Sequence, residues 1–432
     1  MASIRIYGGN PLHGDVTVSG SKNATLPLLA ASLLVEGRTI FENVPRIDDI
    51  NAMIDMLRAL GAKCEFIEKS VLSIDATQIN SVSAPYDLVR KMRGSFYVAG
   101  ALLGRFGEAE VPLPGGCVIG TRPVDYHLDG FRRLGAVVEE RHGVMRAQAE
   151  KLIGTRVYLD SRYRSVGTTV NLMLAAALAD GVTVIENASR EPEVVCCEEF
   201  LTQAGADIGG LGTDVVVIKG VKRLTGTRFT SIGDRMEAGT FLMACGCARG
   251  DVRVHGVSPQ HMRAVLDVLQ GAGIRIETGP DWIRIISDSR CQAFEVTTEP
   301  YPGFPTDLQP NASALAALAV GTSVVEERIF DARFNYIDEL IRMGADIQVK
   351  DSVAIIRGVP RLYGAPVEAT DIRAGSALVL AGLAGEGYTE INGAEFLSRG
   401  YQDLEKKLQG IGAVVTRSRA AEDDRMRNVW HR

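Results

Sequence analysis

At 432 residues the chain is longer than one hydrophobic core usually serves, so two or three domains are expected. Its 46% hydrophobic and 23% charged residues exclude a disordered or fibrous protein, and a formal net charge of −6 excludes a general binder of nucleic acid, which needs excess Lys and Arg to displace counterions from phosphates. The opening MASIRIYGG runs straight into strand-like alternation without the zones of a leader, and apolar runs such as LMLAAALA (172–179) fall short of the roughly 20 residues of a membrane helix, so a cytoplasmic protein without a membrane span is expected. Seven cysteines, an odd number, make no disulfide framework, and Cys196-Cys197 and Cys245-Gly-Cys247 lack the CxxC spacing of a zinc site. They read as buried structural thiols.

In chain order, the first inner helix is the apolar stretch ATLPLLAASLL (24–34), opened by Lys22. The β-rich run GRTIFENV (37–44) follows, then the amphipathic helix DDINAMIDMLRALG (48–61), ended by Gly61 as a left-handed cap. The pattern then returns. A glycine opens a β-rich run again at GEAEVPLP (107–114), GVTVIENA (181–188), GDVRVHGV (250–257), GTSVVEER (321–328) and GYTEINGA (387–394). The helix-ending glycine recurs at Gly135, Gly205, Gly273, Gly344 and Gly412, so the six are separated by 74, 70, 68, 71 and 68 residues. Two independent markers on one beat define a repeat. Further inner helices, such as TTVNLMLAAAL (168–178) and GSALVLAGLAG (375–385), are apolar on more than one face and must be buried on several sides. Each unit reads β-α-β-α-β-β, and six of them packed three and three predict an α/β protein of two domains with buried helices inside sheets. Six tandem small domains are disfavoured, because no Pro/Ser/Gly-rich linker separates the units.

The inner helices begin with cations, where the helix dipole disfavours them. Lys22, Arg93, Arg164, Arg235 and Arg373 stand at or beside five helix starts, and Thr306-Asp307 takes that place in the fifth unit. Cations and free backbone N–H groups gathered at helix starts attract a phosphate or carboxylate, although pairing with Asp234 or Asp371 would account for two of them separately. Asp307, a carboxylate placed among cations, stays ionised and can accept a proton from a hydroxyl, or it can simply cap a helix. In PGGCVIGTRPVDYH (114–127), three glycines and two prolines within ten residues shape a mobile loop around Cys117, with Arg122 five residues on to favour the thiolate.

That loop, with SGSKN (19–23), YDLVRKMRGS (86–95), SVGTT (165–169), REPEVV (190–195), GDRMEAGTF (233–241), PGFPTDLQ (302–309), ATDIRAG (369–375) and SRGY (398–401), resembles the UDP-N-acetylglucosamine 1-carboxyvinyltransferases of the enolpyruvyl transferase family across essentially the whole chain. The resemblance implies a two-domain inside-out α/β barrel of six repeats, with residues 22–231 in one domain and 1–21 and 232–432 in the other. It implies transfer of the enolpyruvyl group of phosphoenolpyruvate to a sugar hydroxyl of a uridine nucleotide, the first committed step of peptidoglycan precursor synthesis. Both partners are small molecules, and neither a metal nor an organic cofactor is implied.

By the same resemblance Lys22, Arg122 and Arg399 hold the phosphate and carboxylate of phosphoenolpyruvate, with Arg93 near them. Asn23 and Asp307 meet the sugar, Asp307 taking the hydroxyl proton, and Cys117 is the acid at the methylene carbon and the target of fosfomycin. Arg122, Pro123, Val124, Asp125 and His127 line the uridine pocket, Arg164, Ser165, Val166 and Gly167 face the diphosphate, and Ile329, Arg333, Asp371 and Arg373 complete the substrate site. The chain departs from the family at Tyr163, where a lysine is usual before the Ser-Val-Gly, at Cys196 in place of an aspartate, at Ala332 in place of an asparagine, and at Tyr336 in place of a histidine. These departures cluster on acceptor positions. They keep open a specialised relative acting on another uridine nucleotide such as UMP in secondary metabolism, and a catalytically silent nucleotide-sugar sensor.

Overall fold

The computed structural model describes residues 2–114, 124–159 and 164–418. They divide into two compact units, one of residues 2–19 and 233–418 and the other of residues 20–114 and 124–232. Each unit has its own hydrophobic core.

In the 20–232 unit three sheets share one plan. Arg228–Thr230 lies parallel to Arg38–Glu42, which pairs antiparallel with Val71–Asp75, and that in turn with Lys63–Glu68. Arg156–Tyr158, Val182–Glu186, Val215–Lys219 and Asp207–Gly209 repeat the order and sense. The sheet of Glu108–Pro112, Val144–Gln148 and Val137–Arg141 has only a single parallel bridge, Ser83 to Glu110, in the first position. Alternation makes each sheet one-sided: in VVVIK, Val216 and Ile218 are fully buried while Val215 and Val217 face out.

The other unit follows the same plan with two strands borrowed from the chain's start. Leu12–Thr17 is the parallel partner of Gly250–His255, ahead of Trp282–Ser287 and Arg275–Thr278. Glu295–Thr297, Thr322–Glu326, Val353–Arg357 and Asp346–Lys350 form the second sheet. In the third, Ser3–Tyr7 enters between Tyr388–Asn392 and Val414–Ser418, filling the place that a local strand occupies in the other sheets. The two recurrent glycine markers are explained together. Gly61, Gly135, Gly205, Gly273, Gly344 and Gly412 all have positive φ, as do Gly37, Gly107, Gly181, Gly250, Gly321 and Gly387, so each repeat turns twice through backbone that a Cβ would strain.

The inner helices are buried on all sides, as Tyr97–Phe106, Val166–Ala176, Arg235–Ala248 and Ile372–Ala384 illustrate. They lie side by side in parallel. A Cβ on Gly100 would stand 2.3 Å from the Asn171 carbonyl oxygen, and one on Gly239 would stand 2.3 Å from Leu308 Cδ1, so glycine permits the close approach. In the 233–418 unit, Thr240, Asn311 and Ser376 stitch three helices together: Asn311 donates to Thr240 Oγ1 at 2.9 Å and accepts from Ser376 Oγ at 2.7 Å. Parallel packing in register puts the three N-termini of each unit at one end. No helix among the described residues is long and apolar enough to cross a membrane.

Candidate active site

In the 20–232 unit, Ser21 caps the helix Lys22–Ala31 by accepting the Ala24 N–H at 3.2 Å, which leaves Lys22 and Asn23 in the first turn. Lys22 Nζ lies 2.7 Å from Asp49 Oδ2, with both side chains largely buried. The first cation is therefore partly neutralised and held in place, by a carboxylate that the sequence pattern offered only as part of an amphipathic helix. Arg93 opens the turn Arg93–Phe96, whose Gly94 abuts Leu26 of the first inner helix. Ser165 caps Val166–Ala176 by accepting the Thr168 N–H at 3.1 Å, which leaves Val166 and Gly167 in the first turn. Arg164 Nε donates to Asn187 Oδ1 at 3.0 Å, fixing the direction of the guanidinium.

His127 is nearly buried in the helix Asp125–Arg133, edge-on to Phe96, and its imidazole lies where a Cβ on Gly167 would meet Cε1 at 3.1 Å. Asn171 fixes its tautomer. The Gly100 N–H donates to Asn171 Oδ1 at 2.8 Å, so the amide nitrogen points at His127 Nδ1, 3.0 Å away, and the imidazole proton sits on Nε2. Burial first, and the Arg93 charge second, push the His127 pKa down to about 3. Of the other residues expected in this region, Val124 begins the helix at 125, Asp125 is exposed in its first turn, and Cys117, Arg122 and Pro123 lie outside the described residues.

In the 233–418 unit the helix starts build a tighter constellation. Asp307 lies inside the turn Thr306–Leu308, whose N-cap residue is Pro305. Its Oδ1 accepts Arg333 Nη2 at 3.0 Å and its Oδ2 accepts Arg373 Nη2 at 2.9 Å. The side chains of Arg333 and Arg373 are 3% and 8% exposed against 26% for Asp307, so the carboxylate is the reachable member of the triad. Burial alone would lower the Arg373 pKa, but Asp307, Tyr401 and Asp234 raise it above its ordinary value. Asp371 and Asp234 spend one oxygen each on capping, taking the N–H groups of Arg373 and Ala374 and of Met236 and Glu237 respectively. The pairing of these aspartates with the neighbouring arginines, raised by the sequence, is thus replaced for Arg373 by Asp307, 66 residues away. Arg235 is buried with its guanidinium over Tyr301, and Arg399 ends the short helix Ala394–Ser398, two residues before the buried Tyr401, whose hydroxyl lies 2.8 Å from Thr240 Oγ1.

Two of the departures belong to the core. Cys196 is 1% exposed and its thiol is pushed up to about 12, chiefly by burial; Tyr336 is 1% exposed and its hydroxyl donates to Ser313 Oγ at 2.7 Å. Ala332 is exposed, and Tyr163 with Arg162 lies outside the described residues. Sequence reading passed over Asp49 and also Glu327, a buried carboxylate that receives the N–H of Ile329 at 2.8 Å. Their only signal was acidity at the edge of an otherwise apolar pattern.

Buried helix starts that carry a lysine in one unit and an arginine-clamped aspartate in the other are features of a group-transfer enzyme for anionic substrates. A model of the family described as EPSP synthase (3-phosphoshikimate 1-carboxyvinyltransferase) matches residues 6–408, and the chain belongs to this family. Within it the chain sits among the UDP-N-acetylglucosamine 1-carboxyvinyltransferases. It is 47% identical to enzyme 1 of that name from Carboxydothermus hydrogenoformans, over 98% of this chain and 100% of that one. It is 49% identical to enzyme 2 from Symbiobacterium thermophilum, over 96% and 98%. Among solved structures, the enolpyruvyl transferase NikO from Streptomyces tendae has a TM-score of 0.87 at 26% identity, covering 96% of this chain and 99% of that one. An EPSP synthase from Acinetobacter baumannii shares the fold, with a TM-score of 0.76 at 20% identity over 97% and 100%.

Proposed function

We propose that the protein transfers the enolpyruvyl group of phosphoenolpyruvate to the 3-hydroxyl of UDP-N-acetylglucosamine and releases phosphate, opening peptidoglycan precursor synthesis in the cytoplasm. On this reading each unit is one inside-out α/β barrel of three βαβαββ repeats. The observation that carries it is Asp307, open on one edge and held from behind by Arg333 and Arg373, in a chain alike end to end to enzymes of that name. Lys22, Arg122 and Arg399 bind phosphoenolpyruvate, and Asn23 and Asp307 orient the sugar. Asp307 takes the hydroxyl proton as the oxygen bonds to C2, and Cys117 gives a proton to C3. The tetrahedral adduct then loses phosphate and a methyl proton, which restores the double bond. Neither metal nor organic cofactor enters this scheme.

The test is phosphate release from phosphoenolpyruvate with UDP-N-acetylglucosamine against UMP. The expected result is a kcat/KM favouring the nucleotide sugar; preference for UMP refutes the acceptor while keeping the chemistry. Arg164 supports the diphosphate, since Asn187 orients its Nε while its terminal nitrogens bond to no described residue. Arg164→Ala should therefore cost about one to two decades of kcat/KM for UDP-N-acetylglucosamine, as loss of a charge-assisted hydrogen bond does, and much less for UMP. Equal losses on both would place Arg164 elsewhere.

Cysteine labelling tests the acid. The six described cysteines are all buried, with Cys64 and Cys291 pushed up to about 11 and Cys196 and Cys245 to about 12, burial being the main cause, so none of these four is a thiolate at neutral pH. Fosfomycin with acceptor present should leave its adduct on Cys117, read by peptide mass mapping. An adduct on any other cysteine removes Cys117 from the mechanism.

A further inference from the structure

Glu327 follows the strand Thr322–Glu326, is 3% exposed, and makes no ion pair among the described residues. A buried carboxyl group without a cation is tolerated only when hydrogen bonds satisfy both its oxygens. Here they do. Oε1 accepts Thr298 Oγ1 at 2.8 Å, the Ile329 N–H at 2.8 Å and the Phe330 N–H at 3.1 Å, while Oε2 accepts Thr306 Oγ1 at 2.9 Å. The two backbone N–H groups can only donate, and the Thr298 oxygen, which accepts the Arg328 N–H at 2.9 Å, keeps its own O–H for Glu327. Two committed backbone donors thus require an acceptor on one side of Glu327. On the other side stands the residue preceding Asp307.

We infer that Glu327 is a positioning residue: its two oxygens hold the Asp307-bearing turn and the Ile329–Phe330 segment in one fixed register, so that base and acceptor contact are set by a single side chain. The inference rests on the transferase reading for its consequence and on the hydrogen bonds for its geometry. The Thr306 arm bears on chemistry, since it fixes the turn of Asp307. The Ile329 arm bears on acceptor binding. Neither arm reaches a residue assigned to phosphoenolpyruvate.

Three variants separate the arms. Thr306→Val removes one hydrogen bond and should lower kcat about tenfold while leaving the KM for UDP-N-acetylglucosamine within about twofold. Glu327→Ala removes both arms and should lower kcat about 100-fold and raise the acceptor KM about tenfold, with the KM for phosphoenolpyruvate unchanged within about twofold. Glu327→Gln should stay within about fivefold of the parent, because its amide oxygen can face the two backbone N–H groups and Thr298 while its NH2 faces Thr306, whose hydroxyl can turn to accept. Parental kcat in Thr306→Val, or equal KM rises for both substrates in Glu327→Ala, overturns the assignment. Amide hydrogen exchange reads the same anchoring without turnover: Glu327→Ala should exchange at least about tenfold faster at 305–308 and 328–331, with the inner helices unchanged. Unchanged exchange there overturns the proposal even if the parent is active. A parent without transferase activity refutes the transferase reading, and exchange then decides the role of Glu327 by itself.

Discussion

Asp307→Asn should lower kcat/KM by roughly 10²–10⁴ and also destabilise the protein by about 2–4 kcal/mol, a double effect that follows from the clamp. The amide keeps the shape but cannot take a proton from the acceptor hydroxyl. Its oxygen can accept from Arg373 or from Arg333, and whichever guanidinium remains then faces an NH2 donor at about the 3 Å now occupied by a carboxylate oxygen. Two largely buried positive charges lose their shared counter-charge, and Asp307's partial exposure lets water offset some of that loss. Phosphate-release kinetics and thermal unfolding should be measured on the same preparation. Near-normal turnover together with the stability loss would mean that Asp307 serves the arginines and not the hydroxyl.

The repeat was legible in the sequence because it is written in glycine. Each unit turns where φ is positive, a Cβ is costly there, and the residue type marks the place; all twelve marker glycines adopt that conformation. The inner helices were legible for a similar reason, since a helix buried on every side shows no polar stripe. Lys22 and Arg373 also stood out, as cations where the dipole disfavours them. Their partners did not. Asp49 reaches Lys22 from the amphipathic helix that follows and Asp307 reaches Arg373 from a turn 66 residues away, and sequence distance carries no sign of which carboxylate will arrive. Glu327 was invisible because its partners are mostly backbone N–H groups and hydroxyls, which every segment possesses. Cys196 and Tyr336 looked like changes in an acceptor site, and both proved to be fillings of the core, where a thiol or a phenol bonded to Ser313 satisfies packing.

His127 should stay neutral well into acid, and the protein should lose stability there because of it. The Asn171 amide is oriented by the Gly100 N–H, so protonating His127 Nδ1 would set two donors face to face in a buried site already under the Arg93 charge. The folded pKa is about 3, whereas the unfolded chain binds its proton at about 6.5. As the pH falls through that window the unfolded state takes a proton that the folded state refuses, so unfolding is favoured by up to about 1.4 kcal/mol per pH unit, on the order of 4–5 kcal/mol in all. Above about pH 6.5 both states are neutral and the effect vanishes. His127→Gln carries no titrating proton, so between pH 6.5 and 4.5 its unfolding free energy, measured with urea, should fall less than the parent's by about 2–3 kcal/mol. Nitrogen-15 spectra of labelled histidine give the direct check at pH 5, where a free imidazole is mostly protonated and His127 should still show the neutral Nε2–H form. An imidazolium signal at that pH would mean that the Asn171 bridge opens in solution, and with it the packing that sets the helix start at Ser165.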